Sequence, residues 1–358
     1  MTFSNLVSAL RRVALRSDRD PDCGLLPERQ FQQVLVRERA RSDRSGDRFC
    51  LLTFSPGERS SSGALHAELP AILKRRLRAT DEVGWLDSTR IGVILPGTPP
   101  VGAWKLSEDV CAVLSREAQP ICQVYSYPFD VTDLDEVLSE PRAQDENRPV
   151  RALEMLFVQA MPAWKRAIDV LGAAIGIVLL SPILLLFAAA IKISSTGPVL
   201  FTQWRSGRGG RPFLMYKFRS MVVDAEERKS ELISLNEQDG PAFKLTADPR
   251  VTRLGQFLRD TSIDELPQLW NVLKGDMSLV GPRPLPCKET ASCLDWQRRR
   301  LDVTPGLTCI WQVRGRSQVT FNEWVRMDLQ YVRQRSFWED VKILVTTVPA
   351  VLLRRGAK

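Results

Sequence analysis

One histidine in 358 residues, His66, lies far from every motif that could carry chemistry, which excludes His-based nucleophilic catalysis and a His-rich zinc site. The seven cysteines, at positions 23, 50, 111, 122, 287, 293 and 309, are odd in number and irregularly spaced. That pattern argues against a disulfide framework and for a reducing compartment. No apolar run followed by a cleavage site stands near the N-terminus, so no secretory signal is expected. Acidic residues are the minority: 42 Asp and Glu against 50 Lys and Arg give a formal charge of +8. The excess favours anionic partners, whether nucleic acid, a membrane surface or phosphorylated substrates, without choosing among them. The chain is long enough for two domains, each with its own core.

Residues 1–150 read as a small α/β domain. Helical periodicity covers 31–41, 64–78 and 102–114, and strand-like runs cover 48–54, 90–95 and 121–127. In that order the segments, with Asp22 to Phe31 and Asp81 to Leu86, resemble the GGDEF (diguanylate cyclase-like) domain over roughly residues 18–128. Where that family has its Gly-Gly-Asp-Glu-Phe signature, this chain has Asp87-Ser88-Thr89-Arg90-Ile91. Without the two glycines and with arginine at an acidic position, the resemblance implies a domain without cyclase chemistry. Structural, dimerising or regulatory roles are left for it.

Residues 139–149 are polar, contain prolines and are poor in apolar side chains, and read as the linker, taken over 139–161 between a domain at 1–138 and the apolar segment beyond it. From Val170 to Ile191 there is no charged residue, a run long enough to span a membrane. Two features oppose a simple span. Ser181-Pro182 falls at the midpoint, where proline removes a backbone donor. Basic residues also flank both ends, with Lys165 and Arg166 before and Lys192, Arg205, Arg208 and Arg211 after, which puts both flanks on the cytoplasmic side. A re-entrant helix-break-helix over 162–193 satisfies both; an ordinary span and a buried hairpin are the alternatives. Asp169 is expected to pair with Arg166 at the interface.

Residues 194–358 carry the chemistry. Arginines and glycines alternate over Arg205 to Arg211, either as an anion-binding loop or as a basic hairpin on lipid headgroups, and Lys217-Phe218-Arg219 comes next. Residues 224–235 read as a charged helix and 236–250 as a loop. Ser262-Ile263-Asp264-Glu265 fits a capping box, with Ser262 capping and Glu265 returning a bond. Pro267 at the first helical position would instead leave both carboxylates before the helix. In either register Asp264 is expected to be ionised beside a helix start. Arg283 stands between Pro282 and Pro284, and a fixed guanidinium suits phosphate oxygens. The tail 340–355, apolar with basic ends, reads as an interfacial helix, or alternatively a core helix.

The ordered set of Lys165-Arg166, Ser181-Pro182, Gly197-Pro198, Lys217-Phe218-Arg219, Asp264-Glu265, Gly281-Pro282-Arg283-Pro284, Pro305-Gly306-Leu307-Thr308, Gln312 to Arg316, and Asp340 resembles the monotopic polyprenyl-phosphate phosphoglycosyl transferases, the bacterial sugar transferase family, over about 162–356. The segment 236–250 resembles the branch that starts exopolysaccharide, capsule or O-antigen synthesis, although larger members of that branch carry four N-terminal membrane helices where this chain has its GGDEF-like domain. Ser220, Ile263 and Cys309 depart from the usual threonine, leucine and glycine. The resemblance implies a mainly α catalytic domain (α+β) with a re-entrant membrane helix, on the cytoplasmic face of a bacterial inner membrane. It implies transfer of a phosphosugar from a UDP-sugar to polyprenyl (undecaprenyl) phosphate through an aspartyl intermediate on Asp264, with release of UMP and Mg²⁺ as cofactor. Glu265 would assist as base or, with Asp264, as metal partner. Arg283, Lys217, Arg219 and Arg259 would bind phosphate, and Arg314 and Arg316 would reach the nucleotide. A homodimer is expected and nucleic acid is not a partner. The competing expectations are a Mg²⁺-dependent lipid-phosphate phosphatase and a membrane-anchored cyclic-dinucleotide signalling scaffold.

Overall fold

The computed structural model describes residues 24–57, 62–129, 149–314 and 319–352. It divides into two compact units, Met1–Leu156 and Phe157–Lys358.

The first unit is a five-stranded sheet in the order β2-β3-β1-β4-β5, with β1 Phe49–Pro56, β2 Glu82–Trp85, β3 Ile91–Pro96, β4 Pro120–Tyr127 and β5 Val150–Ala152. All pairings are antiparallel except β4 with β5. Alternation along β1 divides its side chains between two faces. Cys50, Leu52 and Phe54 join a core with Leu65, Leu69 and Leu73 of α2 (Ser62–Arg76) and Ala103 and Val110 of α3 (Pro100–Cys111). On the other side Phe31, from α1 (Glu28–Ser45), lies so close to the paired Gly84 and Gly92 that a Cβ on either would meet its ring at 2.7 Å. Strands β2 and β5 are additions to the sequence reading. The residues read as a linker therefore continue into structure, since Val150–Ala152 pairs with β4 and Leu153 is fully buried. Asp87 spends its carboxylate within its own turn, accepting from the Thr89 and Arg90 amides and from the Arg90 Nε at 2.6 Å.

In the second unit α4, Ala163–Ser194, is one uninterrupted helical run. The expected break at Ser181-Pro182 is corrected here, and the reason is local. Proline at 182 leaves the Val178 carbonyl without its amide donor, and the Ser181 hydroxyl donates to that carbonyl at 2.8 Å. A stripe along the helix packs onto its own unit from end to end. Lys165, Asp169 and Ala173 are buried at the start, Leu180 packs with Leu269 and Met277, and Leu184, Phe187 and Ile191 pack with Phe218 and Leu258. The opposite face is bare, with Leu171, Ile175, Val178, Leu179, Leu185 and Leu186 between 58% and 71% exposed.

Asp169 also departs from expectation. Its carboxylate accepts from the Ser278 hydroxyl and the Leu279 amide, both at 2.9 Å. Arg166 instead donates to the Val272 and Leu273 carbonyls at the end of α6 (Gln268–Lys274). Those orphan carbonyls attract a cation more directly than a carboxylate one turn along could.

The remaining elements frame a cavity. Strands β6 (Leu200–Ser206) and β7 (Pro212–Phe218) form an antiparallel hairpin, and β8 (Ser278–Val280) pairs in parallel with β9 (Gly306–Thr308). The charged helix expected over 224–235 shrinks to Lys229–Leu232 followed by a 3-10 turn, Ile233–Leu235. Helix α5, Arg253–Asp260, is capped by Thr252, whose hydroxyl accepts from the Gly255 amide at 2.9 Å. Gly255 also lets α5 press on the strand end, because a Cβ there would lie 1.8 Å from the Ser220 carbonyl oxygen. Gly255→Ala should therefore lower the unfolding free energy by about 2–3 kcal/mol in chemical denaturation. Helices α7 (Phe321–Gln334) and α8 (Phe337–Leu352) close the unit. On α8, Ile343 is buried with Val280 and Val303 while Val345 is 64% exposed, so the helix serves the core with one face.

Candidate active site

Four elements bring the predicted residues together around a cavity of about 1010 Å³. Lys217 comes from β7, Arg259 from the last turn of α5, Asp264 and Glu265 from a 3-10 turn, Ile263–Glu265, and Arg283 from the loop after β8. The cavity also reaches apolar residues of the long helices, Leu180 and Ile183 of α4 and Leu344 of α8.

The 3-10 turn corrects the capping-box reading. Ser262 has φ 57°, the one positive φ outside glycine among the described residues, and its side chain caps nothing. Pro267 sits at the N-cap of α6 instead, which leaves both carboxylates before the helix, as the other register required. Two distant cations draw Glu265 away from any capping role. Lys217 Nζ donates to its Oε1 at 2.8 Å, and Arg283 grips it through both Nη atoms, with Nη1 at 3.1 Å from Oε2.

Burial alone would raise Glu265, but Arg283 and then Lys217 outweigh it and hold its carboxyl well below the usual carboxylate range. Asp264 is treated in the opposite way. It is 7% exposed, accepts no hydrogen bond among the described residues, and has Lys217 Nζ at 3.9 Å as its nearest cation. Burial first, opposed by Lys217 and reinforced by Glu265, leaves its carboxyl pushed up to about 6. The two adjacent carboxylates thus differ in kind: Glu265 is a fixed counter-ion, and Asp264 is an unsatisfied, electron-rich oxygen pair at a cavity wall. Burial also pushes the Lys217 ammonium down, only partly offset by Glu265.

Among the other candidates, Arg259 lines the cavity and its Nε donates to the Ser220 hydroxyl at 3.1 Å. Arg219 lines it too, but its Nη2 is committed to Ser195, at 2.7 Å from the hydroxyl and 3.0 Å from the carbonyl, at the end of α4. Arg314 ends the helical turn Ile310–Arg314, while its side chain and all of Arg316 lie outside the described residues. Sequence reasoning missed Arg300, whose Nη2 donates to the Arg283 carbonyl and pairs with buried Asp328 at 2.7 Å. It thereby fixes the loop that carries Arg283. No local pattern marks that pair, since its partners lie in separate elements.

Mg²⁺ fits this site through Asp264 only. Both Glu265 oxygens already accept from cations, and among the described residues no group of three His, Cys, Asp or Glu is placed to hold an ion.

Comparison with known proteins addresses the second unit most strongly. The family model described as bacterial sugar transferase matches residues 160–354. The galactosyl transferase CpsE of Streptococcus agalactiae is 48% identical over 195 residues, 54% of this chain and 43% of that protein. The undecaprenyl-phosphate galactose phosphotransferase of Salmonella typhimurium is 41% identical over 200 residues, 54% of this chain and 41% of that protein. The exopolysaccharide production protein ExoY of Rhizobium meliloti is 40% identical over 201 residues and is covered to 87% of its length. The match thus spans less than half of CpsE and of the Salmonella protein, 43% and 41%. Among solved structures, the diguanylate cyclase SiaD of Pseudomonas aeruginosa is similar over 38% of this chain and 60% of that chain, at 18% identity and a TM-score of 0.29.

Proposed function

Since the chain belongs to the bacterial sugar transferase family, we propose that it transfers a phosphosugar from a UDP-sugar to polyprenyl phosphate, with Asp264 as the nucleophile. The observation that carries this reading is the contrast between the two carboxylates: Glu265 is neutralised by Lys217 and Arg283, and Asp264, at the cavity wall, accepts no hydrogen bond among the described residues. The names of the relatives agree in substrate class, one being an undecaprenyl-phosphate galactose phosphotransferase and another a UDP-glucose:undecaprenyl-phosphate glucose-1-phosphate transferase from Caulobacter vibrioides.

In the proposed first step an Asp264 oxygen attacks the β-phosphorus of the donor. The bond from that phosphorus to the bridging oxygen breaks, and UMP leaves with the electron pair. In the second step an oxygen of polyprenyl phosphate attacks the same phosphorus and Asp264 departs as carboxylate, giving the polyprenyl diphosphosugar. Arg259 and Lys217 face the charge that builds on the phosphoryl oxygens, and Arg283 holds Glu265 so that Lys217 stays in place. Asp264 would hold Mg²⁺, which would supply neutralisation of the diphosphate charge.

The packing of α4 supports a one-leaflet disposition. A helix of 32 residues is about 48 Å long, enough to cross a bilayer, yet its stripe binds the second unit from Lys165 to Ile191. A spanning helix would have to free its middle from that unit. In this reading the bare apolar face rests in the cytoplasmic leaflet of a bacterial inner membrane, and the lipid phosphate meets Asp264 at the membrane surface.

The reading is tested by incubating the full chain with UDP-sugars and polyprenyl phosphate. UMP released in step with a lipid-linked sugar is expected, and inorganic phosphate as the product would refute transfer. The acid limb of kcat/KM should fall below about pH 6, because Asp264 must be ionised to attack and its carboxyl is pushed up to about 6. Lys217→Met removes the cation that lowers it and should move that limb alkaline by about half a unit or more.

A further inference from the structure

Four of the cations that line the cavity are answered by carboxylates. Lys217 and Arg283 share Glu265, Arg250 is paired with Asp248 at 2.7 Å, and Lys229 with Glu289 at 3.1 Å. Arg205 is not. It projects from β6 into the same cavity, its Nη1 donates to the Pro284 carbonyl at 2.9 Å, and its Nε is buried without a partner. Among the described residues no carboxylate lies within ion-pair distance of it. Burial first, and then Arg283, push its guanidinium down to about 10. A guanidinium held in that environment without a counter-ion lowers the local free energy only when an anion arrives.

The charges around Asp264 do not balance within the protein. Eight Lys and Arg side chains line the cavity against five Asp and Glu, an excess of three positive charges. The diphosphate of a nucleotide sugar carries about two negative charges. Arg283, gripped at both Nη atoms by Glu265, has its charge answered within the protein; Arg205 does not.

We infer that Arg205 binds the diphosphate of the nucleotide-sugar donor, and this rests on the proposed UDP-sugar donor. The Pro284 carbonyl, next to Arg283, orients the guanidinium, so the donor's phosphates lie between Arg205 and the Asp264 oxygens. As a binding group Arg205 should act on donor affinity more than on turnover.

The test measures UDP affinity and donor kinetics for the full-length wild type, Arg205→Gln and Arg205→Lys in detergent. The expected result is a loss of about 30-fold or more in UDP affinity for the glutamine variant, partial recovery with lysine, and a rise in donor KM larger than the fall in kcat. Unchanged UDP affinity with a fall in kcat alone would overturn the inference, because Arg205 would then act only through the loop that carries Arg283. A measurement on the wild type needs no variant to fold. UDP should protect Arg205 from phenylglyoxal modification, read by peptide mass, and equal modification with and without UDP would overturn it. Wild-type protein that binds no UDP and releases no UMP would remove the donor reading itself, a result distinct from the failure of Arg205 alone.

Discussion

Asp264→Asn is expected to abolish transfer, by about 10⁴-fold or more in kcat, while leaving the protein more stable than the wild type at pH 7.5. The first half comes from the role. An amide oxygen is a poor nucleophile, and the adjacent carboxylate cannot replace it, since Glu265 is held by Lys217 and Arg283. The second half comes from linkage. Asp264 has a folded-state carboxyl at about 6, above its ordinary value of 3.8, so the folded state binds its proton more tightly than the unfolded chain. Stability from this group therefore falls as pH rises from about 4 to about 6, and the ionised form is penalised above that range. Replacing it with a neutral isostere removes a penalty of the order of 1–3 kcal/mol at neutral pH. Thermal melting at pH 7.5 and pH 5 checks this. The gain over wild type should be larger at the higher pH, and a variant less stable than wild type at pH 7.5 would contradict the account of Asp264.

The largest stability loss is expected where two helices meet behind the active site. Lys165, at the start of α4, donates to Asp340 Oδ2 at 2.5 Å and to the Val280 carbonyl at 2.9 Å. Tyr331 donates to Asp340 Oδ1 at 2.7 Å. The charged side chains are 3% and 5% exposed, so deleting either leaves the other buried without an answer. Lys165→Met or Asp340→Leu alone should cost about 3–5 kcal/mol, whereas the double variant should lose less than the two losses added. Val280 leads directly into Gly281-Pro282-Arg283-Pro284, so the single variants should also lower activity through Arg283. Urea denaturation of the four proteins reads the coupling, and purely additive losses would show that the two charges do not depend on each other.

Legibility in the sequence divided along one physical line, between local motifs and distant contacts. Asp264 and Arg283 could be named from local motifs, a carboxylate pair at a helix-start signal and a guanidinium between two prolines, whereas Lys217 and Arg259 were carried only by the resemblance to the family. The role of Glu265 could not be read, because the local serine pattern offered it a cap while its actual partners lie 48 and 18 residues away. The clamp was hidden for the same reason: Lys165 and Asp340 were each part of the motif set, but their contact crosses 175 residues. Pro182 invited a break that the structure does not contain, because a neighbouring hydroxyl supplies the missing donor. Arg205 was read both as a flanking charge and as the start of an anion-binding loop or headgroup hairpin, and its place in the cavity beside Pro284 came only with the fold.

The most direct test of the covalent account is a single turnover of the purified wild type with UDP-sugar and no lipid acceptor. The account predicts a burst of UMP approaching one equivalent per active site, with a phosphosugar mass adduct on the peptide that contains Asp264. UMP that appears only once polyprenyl phosphate is added, or an adduct on any other residue, would contradict it.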